Sequence, residues 1–362
     1  MPRVVGVDPG TVTFDLCGLE DGRPFLHCSM PSETARDPRD LVERLAAARP
    51  LDLIAAPSGY GLPLVGLDQV TERDLDLFVL VRPEDRGDPE LVGSLRPMVR
   101  LMRSRGLPGV FLPGVVHLAT VPAHRKVNRI DLGTADKVCV AALGIWDQAR
   151  RLAIAPSETA FILLELGGAF TAAVAVHGGR IVDGIGGTGG GLGYRSLGAL
   201  DGEVGYVLGR VSKRALFTGG ASFVAGTLDD PGLWLERAAS EPRARTAWLA
   251  YLESANKMVA SLGVSVPEPR EVLLSGRLSR VPEIARAFAE GLQRVAPVSV
   301  LTGLVPGCKE GAQGAAILAD GLAGGPNAPL VEALRLREAS GTVLDHLYMA
   351  GSDAVRRAFG VG

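Results

Sequence analysis

The sequence predicts an α/β protein of two domains, each built from the same βββαβαβα unit. Three observations lead to this prediction. At 362 residues the chain exceeds the size at which one hydrophobic core usually stops growing. Residues 4–23 align without a gap to residues 161–180, at an offset of 157 residues. After each of these segments, helical and strand-like stretches alternate, which is typical of a largely parallel sheet.

The aligned segments predict two β-meanders with acidic tips, one in each half of the chain. Each copy contains an apolar strand, a turn with a carboxylate and glycine, a second apolar strand and a glycine turn into a third. Asp8 aligns with Glu165, and Gly10 aligns with Gly167. The second glycine turn and the arginine after it also align between the copies.

The spacing of apolar residues predicts the other elements in chain order. Helical spacing occurs at residues 38–48, 89–105, 134–151, 243–262, 281–295, 311–322 and 330–359. Strand-like runs occur at residues 51–56, 110–115, 272–274 and 298–301. The break AIAPSE at residues 153–158 predicts a boundary between domains 1–155 and 156–362. We expect the last helix, residues 330–359, to pack back on the first domain.

The composition excludes some classes of function. The formal net charge is -2, from 38 basic and 40 acidic residues, and aromatic residues make up 5% of the chain. Neither an excess positive charge nor a set of stacking side chains is present to bind nucleic acid. No apolar run reaches membrane-spanning length, and we expect a cytoplasmic protein. The four cysteines lack the close pairing of zinc sites and are predicted to be buried thiols.

Two glycine-rich turns facing each other across a cleft would hold a polyphosphate between them. Glycine lets backbone N–H groups come close to phosphate oxygens, whereas carboxylates are suited to binding Mg²⁺. Asp8 and Glu165 are therefore predicted to be metal ligands. The predicted phosphate cradle consists of Gly10, Thr11, Thr13, Gly167 and Gly168. The alternative is a pair of ordinary hairpins whose acids cap turns.

A second set of candidates would act on the phosphoryl acceptor. Asp131, just before a predicted helix, is a candidate general base or second metal contact; the alternative is a helix-capping role. Arg129, with its basic neighbours Arg125 and Lys126, is predicted to receive an anionic acceptor or the γ-phosphate, or else forms a solvated basic face.

Two loops complete the predicted site. Residues 184–193 include seven glycines, which favours a loop that closes over substrate or a disordered surface flap. Arg195 and Arg210 flank it and would supply positive charge. Residues 57–64 follow a strand and are predicted either to bind the acceptor, through Ser58, Gly59 and Tyr60, or to form a plain surface turn.

Five motifs, in order, resemble those of butyrate kinases. Residues 6–25, GVDPGTVTFDLCGLEDGRPF, resemble their first phosphate-binding hairpin, and residues 164–183, LELGGAFTAAVAVHGGRIVD, resemble the second phosphate hairpin of acetate and butyrate kinases. Residues 198–210 resemble the segment that follows it. EVLLSGRLSRVPEI, residues 271–284, is similar to the adenosine motif, and residues 304–325 resemble the Pro-Gly-Glu segment and the helix after it. The chain is also similar to a group described as predicted butyrate kinases.

The resemblance implies a two-domain actin-like ATPase fold, which is ribonuclease H-like, around a nucleotide cleft, as in acetate kinases, sugar kinases, Hsp70 and actin. It further implies ATP and Mg²⁺ as cofactors, with Ala169 and Thr171 in the second phosphate hairpin. Ser275, Gly276 and Arg277 would lie against the adenosine. The chain departs from the family at two positions: Asp8 replaces an asparagine, and Glu165 replaces a catalytic histidine.

The resemblance favours a kinase that phosphorylates a small carboxylate to an acyl phosphate. The exchange at Glu165 leaves two alternatives open. One is a kinase of a small hydroxylated metabolite, with Asp131 as the base, since a hydroxyl acceptor requires deprotonation. The other is an ATP-binding regulatory ATPase. The expected partner is a small-molecule acceptor rather than nucleic acid or membrane, and a homodimer is a further expectation.

Overall fold

Two mixed β-sheets, one from each half of the sequence, form the framework of the protein. The computed structural model describes residues 1–10, 13–31, 37–86, 95–227 and 229–361. The first sheet contains β1 (Arg3–Pro9), β2 (Thr13–Glu20), β3 (Arg23–Pro31), β4 (Leu53–Pro57), β5 (Val65–Gly66) and β6 (Gly109–Leu112), in the order β3-β2-β1-β4-β6-β5. The second contains β7 (Ala160–Leu166), β8 (Thr171–His177), β9 (Arg180–Ile185), β10 (Glu271–Ser275) and β11 (Val298–Val300), in the order β11-β10-β7-β8-β9.

The two sheets share one topology. In each, three antiparallel strands form a meander, and the first strand of the meander also pairs in parallel with a later strand. Asp8 lies opposite Asp15 in the first meander, and Glu165 lies opposite Ala172 in the second. These pairs preserve the spacing of the repeat found in the sequence. The predicted duplicated α/β fold is therefore confirmed.

Helices cover both sheets. The described residues form α1 (Pro38–Ala47), α2 (Glu72–Val79), α3 (Leu95–Ser104), α4 (Ala123–Lys126), α5 (Ala135–Leu152), α6 (Gly202–Leu208), α7 (Ala221–Val224), α8 (Trp234–Ser240), α9 (Pro242–Leu262), α10 (Pro282–Leu292), α11 (Glu310–Leu322), α12 (Ala328–Leu334) and α13 (Ser352–Ala358). Most predicted helices are present within a few residues. The first part of the helix predicted at 89–105 lies outside the described residues.

The prediction of one helix over residues 330–359 is wrong. α12 ends at Leu334 and α13 starts at Ser352, and the chain between them contains no α-helix. Arg335, Gly341 and Gly351 have φ values of 52°, 77° and 85°, and this left-handed backbone conformation ends or interrupts a helix. The segment still contributes Leu344 to the hydrophobic core that contains the first sheet.

Two long helices make contacts across the two halves. α5 belongs to the first half of the sequence, yet its buried Gln148 accepts a hydrogen bond from the Ala160 N–H at 2.8 Å and donates one to Glu271 at 2.7 Å in the second sheet. α11 belongs to the second half and packs on β1, β2 and β4 of the first sheet. α11 therefore covers the sheet of the other half, whereas α5 lies between the sheets and contacts β8 of the second as well as β4 and β6 of the first.

α5 and α11 also pack against each other. They approach so closely that a Cβ on Gly314 would lie 1.8 Å from the Cys139 carbonyl oxygen. The division at residue 155 separates the two sheets but not the packing around them, and as a domain boundary it stays a prediction. Within the described ranges, no helix is both long and apolar enough to cross a bilayer.

Candidate active site

Both acidic hairpins line one cavity of about 970 Å³. The carboxyl ends of parallel strands open into it, which is where open α/β sheets bind ligands. The predicted residues that line it are Asp8, Gly10, Thr13, Gly59, Tyr60, Asp131, Glu165, Gly167, Gly168, Ala169, Gly276 and Arg277. The fold has therefore brought together segments up to about 270 residues apart in the chain.

The tip of the second hairpin is held by a lysine from the first half. Lys137, at the start of α5, donates hydrogen bonds of 2.6 Å to Glu165 and to Asp136. The Thr134 hydroxyl donates to the other oxygen of Asp136 at 2.5 Å. The second oxygen of Glu165, Oε2, is buried and has no hydrogen-bond partner among the described residues.

Burial and the shared lysine act in opposite directions on these groups. Burial would raise the pKa of Asp136, but attraction and hydrogen bonding by Lys137 outweigh it, and the pKa is lowered. Burial dominates for Glu165, whose pKa is raised despite the same lysine. Burial also disfavours charge on Lys137, but the two carboxylates raise its pKa above the ordinary value. Lys137 is therefore a cation across the physiological pH range.

The tip of the first hairpin is held in turn by a lysine from the second half. Lys309, just before α11, donates a 2.7 Å hydrogen bond to the Thr13 carbonyl oxygen and lies 3.8 Å from Asp15. Burial raises the pKa of Asp8 to about 7, although the positive charge of Lys309 draws it down. Asp8 is therefore a desolvated carboxylate at the wall of the cavity, and a cation bound nearby would stabilise its charged form.

The donor set at these tips fits Mg²⁺. A magnesium ion prefers one or two carboxylates together with phosphate oxygens and water. Asp8 is a carboxylate destabilised by burial, and Glu165 presents a buried oxygen without a partner among the described residues. Both line the same cavity. The residues present therefore suit the metal that a nucleotide would bring.

Gly276, which was predicted to lie against adenosine, lines the cavity. It follows β10 with φ at 82°, and a Cβ there would lie 2.6 Å from the Leu166 carbonyl oxygen at the end of β7. Only glycine fits this close, left-handed turn without strain. The next residue, Arg277, lines the cavity. Ser275 is buried within the sheet and does not reach the cavity lining.

One part of the cavity lining, which we call the apolar end, is rich in aromatic side chains and contains Lys213. Lys213 has its ammonium group 4.4 Å from the centre of the Tyr60 ring, and burial lowers its pKa to about 8. Phe170 and Phe217, which also line the cavity, pack edge to face with their ring centres 5.2 Å apart. Burial also raises the pKa of Tyr60, so its hydroxyl stays protonated. This end therefore suits a small anion with an apolar part.

Asp131 fixes the glycine-rich loop to the first half. One carboxylate oxygen accepts the Gly133 N–H at 3.1 Å. The other accepts the N–H and the hydroxyl of Thr188 at 3.0 and 2.8 Å. Residues 184–193 are all described, and this contact anchors their centre. Asp131 lines the cavity, but its oxygens already accept three hydrogen bonds.

The structure does not bring every predicted residue to the cavity. Arg129 and Arg195 are exposed and do not line it. Arg210 is exposed and pairs with Glu84 and Asp85 of the first half, at 3.5 and 3.4 Å. Sequence order placed these arginines beside glycine-rich or acidic segments, whereas their side chains extend to the surface.

Two other predicted polar residues lie inside the protein, and one lies outside the described ranges. Ser58 is buried, and its hydroxyl accepts the Leu62 N–H at 3.1 Å within its own loop. Thr171 is fully buried and does not line the cavity. Thr11 lies outside the described residues.

Sequence reasoning missed the lysines of the site. Lys137 and Lys309 complete the two hairpins, and Lys213 lies at the apolar end. The first two have a signal in common: each lies next to an acidic residue at the start of a helix rich in small residues, in ADK and KEG. Lys213 lies in a segment without a helix or strand pattern, and no sequence signal marks it.

Solved structures with the same fold include two acyl kinases. Acetate kinase from Entamoeba histolytica matches with a TM-score of 0.59 at 10% identity, over 81% of this chain and 86% of that chain. A propionate kinase from Francisella tularensis subsp. tularensis matches with a TM-score of 0.60 at 12% identity, over 87% and 98%. The Lmo2764 protein from Listeria monocytogenes, a proposed N-acetylmannosamine kinase, matches with a TM-score of 0.52 at 12% identity, over 87% and 97%.

These likenesses, all at low identity, establish the fold, which is the two-domain actin-like ATPase fold that the resemblance implied. By sequence, no curated protein matches the chain. The model of one family, described as "Protein of unknown function (DUF1464)", matches residues 6–349.

Proposed function

We infer that the chain, which belongs to the DUF1464 family, is an ATP- and Mg²⁺-dependent phosphotransferase acting on a small carboxylate. The observation that carries this inference is the meeting of both acidic hairpin tips in one cavity. Each tip holds a carboxylate and a lysine from the other half. Phosphoryl transfer depends almost entirely on positioning and on charge stabilisation, and these groups supply both.

In the proposed reaction, a carboxylate oxygen of the acceptor bonds to the γ-phosphorus as the bond from that phosphorus to the bridging oxygen breaks. ADP leaves with the electron pair, and the acceptor becomes an acyl phosphate. Asp8 and Glu165 would hold Mg²⁺, which when bound neutralises charge on the phosphate oxygens. Gly10, Gly167 and Gly168 would offer backbone N–H groups to the phosphates.

Lys137 and Arg277 have separate proposed roles. Glu165 replaces the histidine of the resembled family, and its neighbour Lys137 supplies the positive charge that a carboxylate lacks. Lys137 keeps its proton, so it would stabilise the transferring group by charge alone. Gly276 would let the adenosine approach the end of β10, and Arg277 would stack on it.

The apolar end of the cavity supports a carboxylate acceptor. Lys213 provides one cation among Tyr60, Phe170 and Phe217, which fits a small acid with an apolar chain. A carboxylate is already ionised near neutral pH and requires no general base. Two structural neighbours with acyl-kinase names, the acetate and propionate kinases, agree with this acceptor class.

One observation favours a second candidate, a kinase of a small hydroxylated metabolite. Asp131 lines the cavity and could serve as the base for a hydroxyl. A proposed sugar kinase is also among the structural neighbours. This candidate is second because the oxygens of Asp131 already accept three hydrogen bonds from Gly133 and Thr188.

The test is an acceptor screen with purified protein, ATP and Mg²⁺. Short-chain carboxylates are assayed with hydroxylamine, which traps an acyl phosphate as a hydroxamate, and polyols and amino sugars are assayed by ADP release. We expect hydroxamate with at least one carboxylate, and none with the variant Asp8→Ala. ADP release with a polyol alone would support the second candidate. ATP hydrolysis that no acceptor stimulates would contradict both and indicate a regulatory ATPase.

A further inference from the structure

Three side chains with metal-binding atoms meet outside the proposed catalytic cavity. Asp15 on β2, His27 on β3 and Cys308 before α11 place a carboxylate oxygen, a ring nitrogen and the sulfur within 4.8 Å of one another. Asp15 and Cys308 are buried, whereas His27 is exposed. None of the three lines the cavity. The group therefore has two fixed members inside the protein and one at the surface.

The fold itself makes these residues converge. His27 lies directly opposite Cys17 in the meander, and Cys17 is two residues from Asp15 on the same strand. Successive residues of a strand alternate between faces, so Asp15 and His27 project from the same face of the sheet. α11 packs on this meander, and the turn at Gly307, with φ at 79°, brings Cys308 onto it from the other half.

The donor set selects the class of metal. Sulfur and imidazole are the ligands of zinc and similar transition metals, whereas Mg²⁺ takes oxygen ligands. Tetrahedral zinc, with bonds of about 2.0–2.3 Å, holds its ligand atoms roughly 3–4 Å apart. The ligand atoms lie within 4.8 Å of one another, so zinc binding would draw them together by about 1 Å. The exposed ring of His27 supplies an entry path.

The local charges agree with a divalent cation. The Asp15 carboxylate and a Cys308 thiolate would balance the charge of Zn²⁺, and zinc binding releases the thiol proton to solvent. Asp15 already holds the Thr13 hydroxyl at 2.6 Å. The nearest cation, Lys309, has its own hydrogen bond to the Thr13 carbonyl oxygen at 2.7 Å and lies 3.8 Å from Asp15. A metal bound to Asp15 would therefore not have to displace a short ion pair between Asp15 and Lys309.

We propose that Asp15, His27 and Cys308 form a transition-metal site of the zinc class, with a fourth position open to water. The metal ties the segment before α11 to the first hairpin. Because Lys309 follows Cys308 directly, metal binding also fixes the lysine that reaches Thr13 at the hairpin tip. The site is separate from the proposed magnesium site and does not depend on nucleotide.

The experiment measures metal binding by the full-length protein after removal of metals with EDTA. Zn²⁺ is titrated against a chromophoric chelator, and Co²⁺ is added separately to detect the absorption of a thiolate bond to cobalt. We expect one Zn²⁺ per chain and a cobalt–thiolate band. Cys308→Ser should abolish the band, and His27→Ala should weaken zinc binding at least 100-fold.

Cys28→Ser is the matched control, because Cys28 neighbours His27 but projects from the opposite face of β3. It should bind zinc like the wild type. His27 is exposed, so His27→Ala tests the site even where Cys308→Ser fails to fold. Absence of stoichiometric zinc binding in the wild type would overturn the proposal. Zinc affinity left unchanged by His27→Ala would overturn it as well.

Discussion

The two hairpins match in sequence but differ in their electrostatics. Glu165 in the second hairpin shares Lys137 with Asp136, all three largely buried, in a closed group of two acids and one base. Among the described residues, Asp8 in the first hairpin has no such close ion pair, and burial raises its pKa to about 7. Its lysine, Lys309, is more exposed and bonds to backbone instead.

The difference shows that two copies of one backbone can have different electrostatic properties. The backbone of both halves repeats, and each tip receives a lysine from the helix contributed by the other half. The second tip is already neutralised in part, so it is suited to hold a fixed geometry. The first tip carries a carboxylate whose pKa burial raises to about 7, so it is suited to respond to an incoming cation.

Replacing Lys137 should have the largest effect on activity and stability. Lys137→Met leaves two buried carboxylates without their shared cation, which destabilises a protein by about 3–5 kcal/mol. We expect the rate of phosphoryl transfer to fall at least ~100-fold, because the positive charge of Lys137 no longer stabilises the transferring phosphoryl group. Activity and the free energy of unfolding are measured together.

The matched variant is Lys309→Met, which removes the more exposed lysine and should have a clearly smaller effect on stability. Adding Glu165→Gln to Lys137→Met should recover part of the stability but no activity. Equal losses of stability in the two lysine variants would contradict the difference between the hairpins.

Gly276 tests whether the second hairpin is the one that adjoins the nucleotide. A methyl group in Gly276→Ala would meet the Leu166 carbonyl oxygen at the tip of this hairpin. We therefore expect ATP affinity to fall at least ~10-fold. Gly351→Ala is the control, because φ there is 85° and a Cβ meets no atom within 4 Å. Binding of a fluorescent ATP analogue is measured. Equal affinities in the two variants would remove the adenosine from this position.

Lys213 gives a pH dependence that sharpens the contrast between the two ends of the cavity. Burial lowers its folded-state pKa to about 8, so between about pH 8 and 10 the unfolded chain binds more protons than the folded protein. The free energy of unfolding of the wild type should therefore rise over this range by up to about 2 kcal/mol relative to Lys213→Met.

The same lysine predicts the pH dependence of acceptor binding. If it receives an anionic acceptor, KM for that acceptor should increase above about pH 8 in the wild type, as the lysine loses its proton. Lys213→Arg should keep KM constant to higher pH. A KM independent of pH between 7 and 9 in both proteins, which brackets the pKa of about 8, would exclude Lys213 from acceptor binding.

Arg210 should have the smallest effect. It pairs with Glu84 and Asp85 at the surface, and exposed pairs contribute roughly 0–1 kcal/mol. Arg210→Ala should change the free energy of unfolding by less than about 1 kcal/mol and leave kcat within about threefold. A loss of activity near that of Lys137→Met would restore Arg210 to the catalytic role that the sequence suggested.

Much of the site could be predicted because glycines and carboxylates at strand ends carry local signals. Asp8 and Glu165 were identified in this way and Gly276 through the resemblance of its motif, and all three line the cavity. The surface arginines were not predictable, since an arginine near a glycine-rich loop has a long side chain that can point either way. Thr171 is buried because β8 is covered on both faces, and Ser58 is buried in the loop that follows β4.

By itself the sequence determined the repeat, the two meanders, the alternation of helix and strand, and the acidic tips. These follow from local periodicity and turn chemistry, which require only neighbouring residues. Three features became apparent only in the tertiary structure. α5 and α11 pack across the two halves, and Lys137 and Lys309 each bind the hairpin of the other half. The side chains of His27 and Cys308 also lie close together. Such contacts join residues far apart in the chain, and they arise from burial of whole faces, which no short stretch of sequence encodes.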